Sequence, residues 1–361
     1  MEEFVVSRRR AASLFAAGIL LISLAAAAPV AAKSHLHVLL DGLNSPKGIL
    51  AGGHSVFVGQ GWAGPPGPVL EYHRTGRGHG TASPITDPIP LVDITATPDG
   101  AGWGIGANGV LYRQATAGAT PEAVLDILAY QAVDIDPFDI NVPPPPAEPN
   151  PGESNPNGIA PLPNNDVLIA DAAGNDLLRV SPNGDAVTVA RWQVETIPNH
   201  IPGLPPQVPA EAVPTTVAIG PGGWAYVGQL VGFPGTPGTA HIWRVNPLAE
   251  DALCDVNAPN ANCSVWKSGF TSIFDIAFNP HNGTLYVYEI AEAGWPAFEA
   301  GFAPGGTFPP AVLLEVKGGS RTELARGELS QPGGVAVAND GAVFVTDGMF
   351  TGGRLIQIKG N

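Results

Sequence analysis

Phe274-Asp-Ile-Ala-Phe-Asn-Pro-His-Asn-Gly-Thr-Leu-Tyr-Val-Tyr-Glu289 holds two short apolar runs joined by a turn. Asn282-Gly283 supplies residues that tolerate the positive φ of a tight hairpin, and the flanking runs are rich in aromatic and β-branched residues. The segment reads as a β-hairpin with a carboxylate near its start, Asp275, and another at its end, Glu289.

The same pattern recurs along the chain. Copies run from Pro46 to Gln60, Val92 to Gly106, Pro156 to Asp171, Pro214 to Gln229 and Pro332 to Asp347, with the second copy the weakest. Turn residues recur at matching places, as Asp99-Gly100, Asn164-Asn165, Gly222-Gly223 and Asp340-Gly341. A third apolar run usually follows, such as Leu177-Leu-Arg-Val180, and then a fourth, such as Ala186-Val-Thr-Val-Ala190. Four strands per repeat and six repeats of about 55 residues predict an all-β, six-bladed propeller with four-stranded blades. The last repeat lacks a fourth strand, and Leu36-His-Val-Leu-Leu-Asp41 has the character to supply it. The ring is therefore expected to close on the N-terminal strand, which covers two sheet edges at once. A division into two domains at Pro143–Pro149 would leave an incomplete ring on each side.

Outside the repeats, Arg8, Arg9 and Arg10 precede the uncharged run Ala11–Ala28 and the small residues Val30-Ala31-Ala32. Residues 1–32 thus read as an export signal cleaved near Ala32, with residues 33–361 as the propeller. The rival is an uncleaved anchor, which the alanine-rich run and Pro29 disfavour. Ser7-Arg8-Arg9 suggests a twin-arginine route, but Ala11 and Ala12 stand where that motif wants bulk. The chain carries 17 basic and 32 acidic residues; losing three Arg and two Glu leaves 14 and 30, a net charge of −16. Such a surface repels nucleic acid and anionic lipid, so neither is expected as a partner, and a monomer outside the membrane is. Cys254 and Cys263, the two cysteines, are close enough in an exported chain to form a disulfide.

The blades Asn155-Pro-Asn-Gly-Ile-Ala160 with Leu168–Val180, Val213–Pro234 and Gly269–Ile290 resemble those of the ScyD/ScyE family. The resemblance spans nearly all of the chain after residue 32. It implies an exported propeller related to NHL-repeat proteins; some members accompany scytonemin pigment gene clusters, and the resemblance carries no reaction with it. More distantly the ring is similar to gluconolactonase-like propellers, which hydrolyse lactones with a divalent cation.

Propeller geometry brings the start of each first strand and the end of each second strand to the top face, around the channel. The candidate binding residues at this mouth are Lys47, Gln60, Asp93, Asn157, Asp171, Thr215, Gln229, Asp275, Glu289 and Asp347. Oxygen-rich clusters suit calcium or magnesium, so Asp171, Asp275, Glu289 and Asp347 are the candidate ligands of a divalent cation. A structural alternative stands beside this: a polar residue after strand two caps loop amides in every blade. Lys47 argues against a metal, because an ammonium would itself neutralise the carboxylates. The long top loops carry Trp62, Phe233, Trp295 and Phe350, which suit an apolar or planar ligand, though each also has its own loop to pack. Three functions stay open: a scaffold binding a small molecule, glycan or protein, a metal-dependent lactonase or esterase, and a structural envelope protein.

Overall fold

The computed structural model describes residues 35–75, 80–140 and 153–359. The export segment 1–32 and the linker candidate 143–149 lie outside the described residues.

Six four-stranded antiparallel sheets stand in a ring. Blade 1 runs over Ile49–Gly52, Ser55–Val58, Leu70–His73 and Thr81–Pro84. Blade 2 uses Leu91–Ala96, Gly102–Gly106, Val110–Gln114 and Glu122–Asp126. Blade 3 uses Pro156–Pro161, Val167–Asp171, Asp176–Val180 and Ala186–Trp192. Blade 4 is Pro214–Ile219, Ala225–Gln229, Ala240–Val245 and Cys263–Phe270, and blade 5 is Ile273–Phe278, Leu285–Glu289, Val312–Lys317 and Ser320–Leu324. Blade 6 holds Pro332–Val337, Val343–Asp347 and Gly353–Lys359, completed by His35–Leu43 pairing antiparallel to Gly353–Lys359. The N-terminal strand closes the ring, as expected from the missing fourth strand of the last repeat.

The first strands of the blades contact each other in ring order, and blade 1 returns to blade 6. Two glycines permit that approach near the axis. A Cβ at Gly158 would lie 2.6 Å from Thr216 Cα, and one at Gly48 would lie 2.8 Å from Asp93 Cα. Between blades the second strands present buried β-branched residues, such as Val227 against blade 3 and Val345 against blade 5. These alternate contacts make the core a series of inter-blade layers rather than one centre.

Three features depart from a plain four-stranded scheme. Ala252–Cys254 adds a fifth strand to blade 3, parallel to Ala186–Trp192, although it leaves from blade 4. The Cys254–Cys263 disulfide ties that strand to the last strand of blade 4, with both cysteines buried. The connection after blade 3 folds into a small hairpin, Glu195–Pro198 with Gln207–Ala210. The long loop after the second strand of blade 5 contains a helical turn, Trp295–Glu299. Among the described residues no helix is long and apolar enough to cross a membrane.

Candidate functional site

Blades 2 to 6 each carry a β-bulge in the first strand, just after its opening residue. A bulge places one extra residue opposite its partner and re-aims the side chains around it. The bulged residues are Val92, Asn157, Thr215 and Phe274 in blades 2 to 5, whereas Asp93 and Asp275 come one position later. Asp93 therefore opposes Ile105 rather than Gly106, and Asp275 opposes Tyr288 rather than Glu289. One residue of offset separates the expected mouth residues into two groups.

The first group lines the axis. Lys47 is buried, and its Nζ donates to the Asn157 carbonyl oxygen at 2.7 Å and lies 5.1 Å from the centre of the Phe274 ring. The Asp93 carboxylate accepts the backbone N–H groups of Ile94 (2.9 Å) and of Ile159 in blade 3 (3.0 Å). The Asp275 carboxylate accepts the Thr216 hydroxyl (2.7 Å), the Ile276 N–H (2.8 Å) and the Val335 N–H of blade 6 (2.7 Å). Thr215 donates to the Ile273 carbonyl at 2.7 Å. Thr346 donates to the Lys47 carbonyl at 3.0 Å and accepts the Gly334 N–H at 2.7 Å. The bonds to Asn157, Ile159, Thr216, Val335, Ile273 and the Lys47 carbonyl cross between blades. Asn157 is buried in this collar with no hydrogen-bond partner for its Oδ1.

One ammonium and two carboxylates in a buried collar shift one another. Burial lowers the Lys47 pKa, and the charges of Asp93 and Asp275 pull it back up. Burial likewise raises the Asp93 and Asp275 carboxyls, against the opposing pull of Lys47. Desolvation exceeds attraction at all three groups, so the collar lowers its net charge by favouring neutral forms.

The second group sits at the ends of the second strands and caps loops. Asp171 accepts the Ser154 hydroxyl (2.6 Å) and the N–H groups of Asn155 (2.7 Å), Ala173 (3.2 Å) and Gly174 (3.0 Å). Glu289 accepts the Thr271 N–H at 2.7 Å, and burial pushes its carboxyl up to about 7. Asp347 accepts the Ser330 N–H (2.8 Å) and the Tyr288 hydroxyl (3.3 Å), and pairs with Arg354. Gln60 accepts the Asn44 N–H at 2.9 Å and donates to the Pro68 carbonyl at 2.9 Å. The Gln229 amide oxygen accepts the Trp243 indole N–H.

The four carboxylates proposed as cation ligands are thus divided between the groups, and each is committed to protein donors. Among the described residues no three His, Cys, Asp or Glu side chains form a ligating cluster. Asp171, Asp275, Glu289 and Asp347 do not offer a hard cation a shared set of oxygens, and no step through a metal follows from them.

Above the axis the top loops supply aromatic rings. Trp62, Trp295, Phe298, Phe308 and Phe350 pack together with Met349 and reach down to Phe274. Trp62 and Phe350 centroids lie 5.3 Å apart, and Phe308 stacks on Phe350 at 6.1 Å. The Trp295 indole N–H donates to the Val231 carbonyl at 2.8 Å. Phe233 lies outside this cluster and is 56% exposed. Phe274 joins the aromatic roof to the charged collar, since its ring faces both.

Thr216, Phe274 and Thr346 belong to the collar without having been singled out from sequence. Their signal is positional: each lies beside an expected residue, Phe274 and Thr216 at the bulge of a first strand and Thr346 one place before Asp347. A Glu195–His241 pair, 3.2 Å apart and joining the extra hairpin to the third strand of blade 4, also had no repeat pattern to mark it.

No known family model matches the sequence, and no curated protein matches it. Solved structures do. A glucose dehydrogenase superposes with a TM-score of 0.52 at 12% identity over 91% of this chain and 100% of its own. A gluconolactonase candidate gives 0.53 at 12% over 91% and 93%. The soluble aldose sugar dehydrogenase from Escherichia coli, in its apo form, gives 0.52 at 12% over 91% and 100%. Likeness at this identity shows the propeller fold.

Proposed function

We propose that this protein is an exported, monomeric ligand-binding propeller, and that its ligand is a neutral polyhydroxylated small molecule held at the collar beneath the aromatic roof. The observation that carries this reading is Asn157 Oδ1, a buried acceptor with no partner beside the Lys47 ammonium. An unpaired buried polar atom costs about 1–3 kcal/mol, a penalty that a ligand hydroxyl would relieve. Hydroxyl groups both donate and accept, so one sugar-like ring has bonds to make with Asn157, Lys47 and the free lone pairs of Asp93 and Asp275. The apolar face of such a ring suits Phe274 and the rings above it. The raised carboxyls and lowered ammonium favour an uncharged ligand over an ion. The structural neighbours named for sugars share the ring and leave the choice of ligand to these residues. Export agrees with the buried disulfide, which persists in oxidising compartments.

The test is calorimetric titration with a panel of aldoses, aldonolactones and short glycans, alongside metal analysis of the purified protein. Saturable binding of one class, weakened at least tenfold in Asn157→Leu and in Asp275→Asn, is the expected result. Stoichiometric divalent metal with lactone turnover, both lost in Asp275→Asn and Glu289→Gln, would replace the binding reading with a hydrolase. Unaltered binding in the collar variants would move the ligand elsewhere.

A further inference from the structure

The weakest repeat opens a second site. In five blades the residue two before the last residue of the repeated hairpin (Gln60, Asp171, Gln229, Glu289 or Asp347) is Val58, Ile169, Val227, Val287 or Val345, and the residue four before it is Val56, Val167, Ala225, Leu285 or Val343. All ten are buried against the preceding blade or within their own layer. Blade 2 has Gly104 and Gly102 at these places. Leu91 covers Gly104, but nothing replaces the missing side chain at Gly102, and blades 1 and 2 are left with a cleft of about 280 Å³ between them, away from the collar. Register fixes its walls. Leu50 opposes Phe57, and Phe57 opposes Glu71, so these three share one face of blade 1. Ile94 and Tyr112 flank Gly104, and Gln114 opposes Gly102, on the facing side of blade 2.

The chemistry of the walls selects an occupant. They are apolar except for a few amide and hydroxyl groups and one carboxylate, Glu71. One Glu71 oxygen accepts the Ser55 hydroxyl at 2.8 Å, and the other lies 3.5 Å from the half-exposed His73 ring. A single carboxylate on an apolar wall complements a single positive charge on an apolar body, and the chain's net charge of −15 draws cations toward it. An apolar cavity of ~150 Å³ holds one benzene ring, so in proportion this cleft holds roughly two fused rings.

We propose that the cleft between blades 1 and 2 binds a flat aromatic cation of about two rings, its ring against Gly102 and Leu91 and its ammonium or amidinium on Glu71. The backbone at Gly102 is open to the cleft, since a Cβ there would meet only Gln114 at 3.7 Å, whereas Leu91 already covers Gly104.

The probe is 1-naphthylmethylamine, compared with its neutral isostere 1-naphthalenemethanol and the anion 1-naphthoate. The wild-type protein should bind the amine at one saturable site, the alcohol at least tenfold more weakly, and the anion not measurably. Gly102→Val restores the residue class of the other blades, and a Cβ there meets only Gln114 at 3.7 Å, so the variant should fold and lose the amine. Glu71→Gln should bring the amine and the alcohol to equal affinity. Should Gly102→Val fail to fold, that affinity ratio in Glu71→Gln carries the test. Equal wild-type affinity for amine and alcohol would overturn the proposal, as would unchanged affinity in Gly102→Val. Loss of the amine in Phe350→Ala but not in Gly102→Val would place it under the aromatic roof instead. A dimer dispersed by Gly102→Val would show that a second copy fills the cleft.

Discussion

Lys47 Nζ reaches past blade 2 to the carbonyl of Asn157 in blade 3, 2.7 Å away. The bond sets the only ammonium of the collar beside the carboxylates of Asp93 and Asp275, on the axis where the first strands meet. A charge in that position is compensated from two sides, and its removal leaves both partners exposed to each other.

Lys47→Met is expected to destabilise the protein by about 3 kcal/mol at pH 8, because two like carboxylates are then buried without a cation. At pH 5 the loss should be smaller, since carboxyls already raised by burial take up protons readily. Adding Asp275→Asn should recover part of the loss at pH 8. Urea denaturation at both pH values measures this; equal losses at pH 5 and pH 8 would remove the charge argument.

Stability is expected to fall as pH rises from about 5 to 8. The Glu289 carboxyl stands at about 7 in the fold against its ordinary 4.5, so below 4.5 it is protonated in folded and unfolded chains alike. Above 7 it is ionised in both, and the folded state bears the cost of the buried charge, on the order of 3 kcal/mol. Glu289→Gln keeps an acceptor for the Thr271 N–H and should flatten the pH profile while raising the melting temperature at pH 8. A melting temperature that climbs from pH 5 to pH 8 in the wild type would contradict this.

Removing Leu36–Asp41 should leave blade 6 one strand short and expose the edge of Gly353–Lys359. Open edges pair with other chains, so the variant should melt earlier and elute from size exclusion as larger species. A deletion that melts like the parent and stays monomeric would show that ring closure contributes little.

Cys254→Ser with Cys263→Ser should cost about 2–3 kcal/mol from loop-closure entropy. The loss should extend to the fifth strand of blade 3, because Ala252–Cys254 is held to blade 3 and to blade 4 at once. Hydrogen exchange of Ala252–Cys254 amides in oxidised and doubly substituted protein reads the second effect. Unchanged protection there would confine the bridge to its own loop. Ligand binding at the collar should not change.

Much of the ring was legible because each blade repeats one hairpin and each hairpin carries its turn residues. The site was legible only in part. Lys47, Asn157 and Thr215 were found by counting from the turn, and so were the capping residues Gln60, Asp171, Gln229, Glu289 and Asp347. Counting treats these as one ring, and the bulges divide them: Asp93 and Asp275 slide one position inward, while the second-strand ends turn to their own loops. A bulge is a local choice of backbone angles with no fixed residue signature, so its offset does not appear in spacing. The glycines of blade 2 were visible as the poorest match to the repeat. Their consequence, an unfilled layer, requires knowing which face meets blade 1.

The sequence by itself determined the number of blades, the hairpin turns, the strand that closes the ring and the cysteine pair, since these depend on local periodicity and on short separations along the chain. Only the tertiary structure decided which polar side chains meet at the axis, that Lys47 is set between two carboxylates, and that blades 1 and 2 part around Gly102 and Gly104. Those outcomes depend on how six similar sheets are rotated and offset against one another, and a shift of a single residue is enough to send a side chain to the axis or away from it.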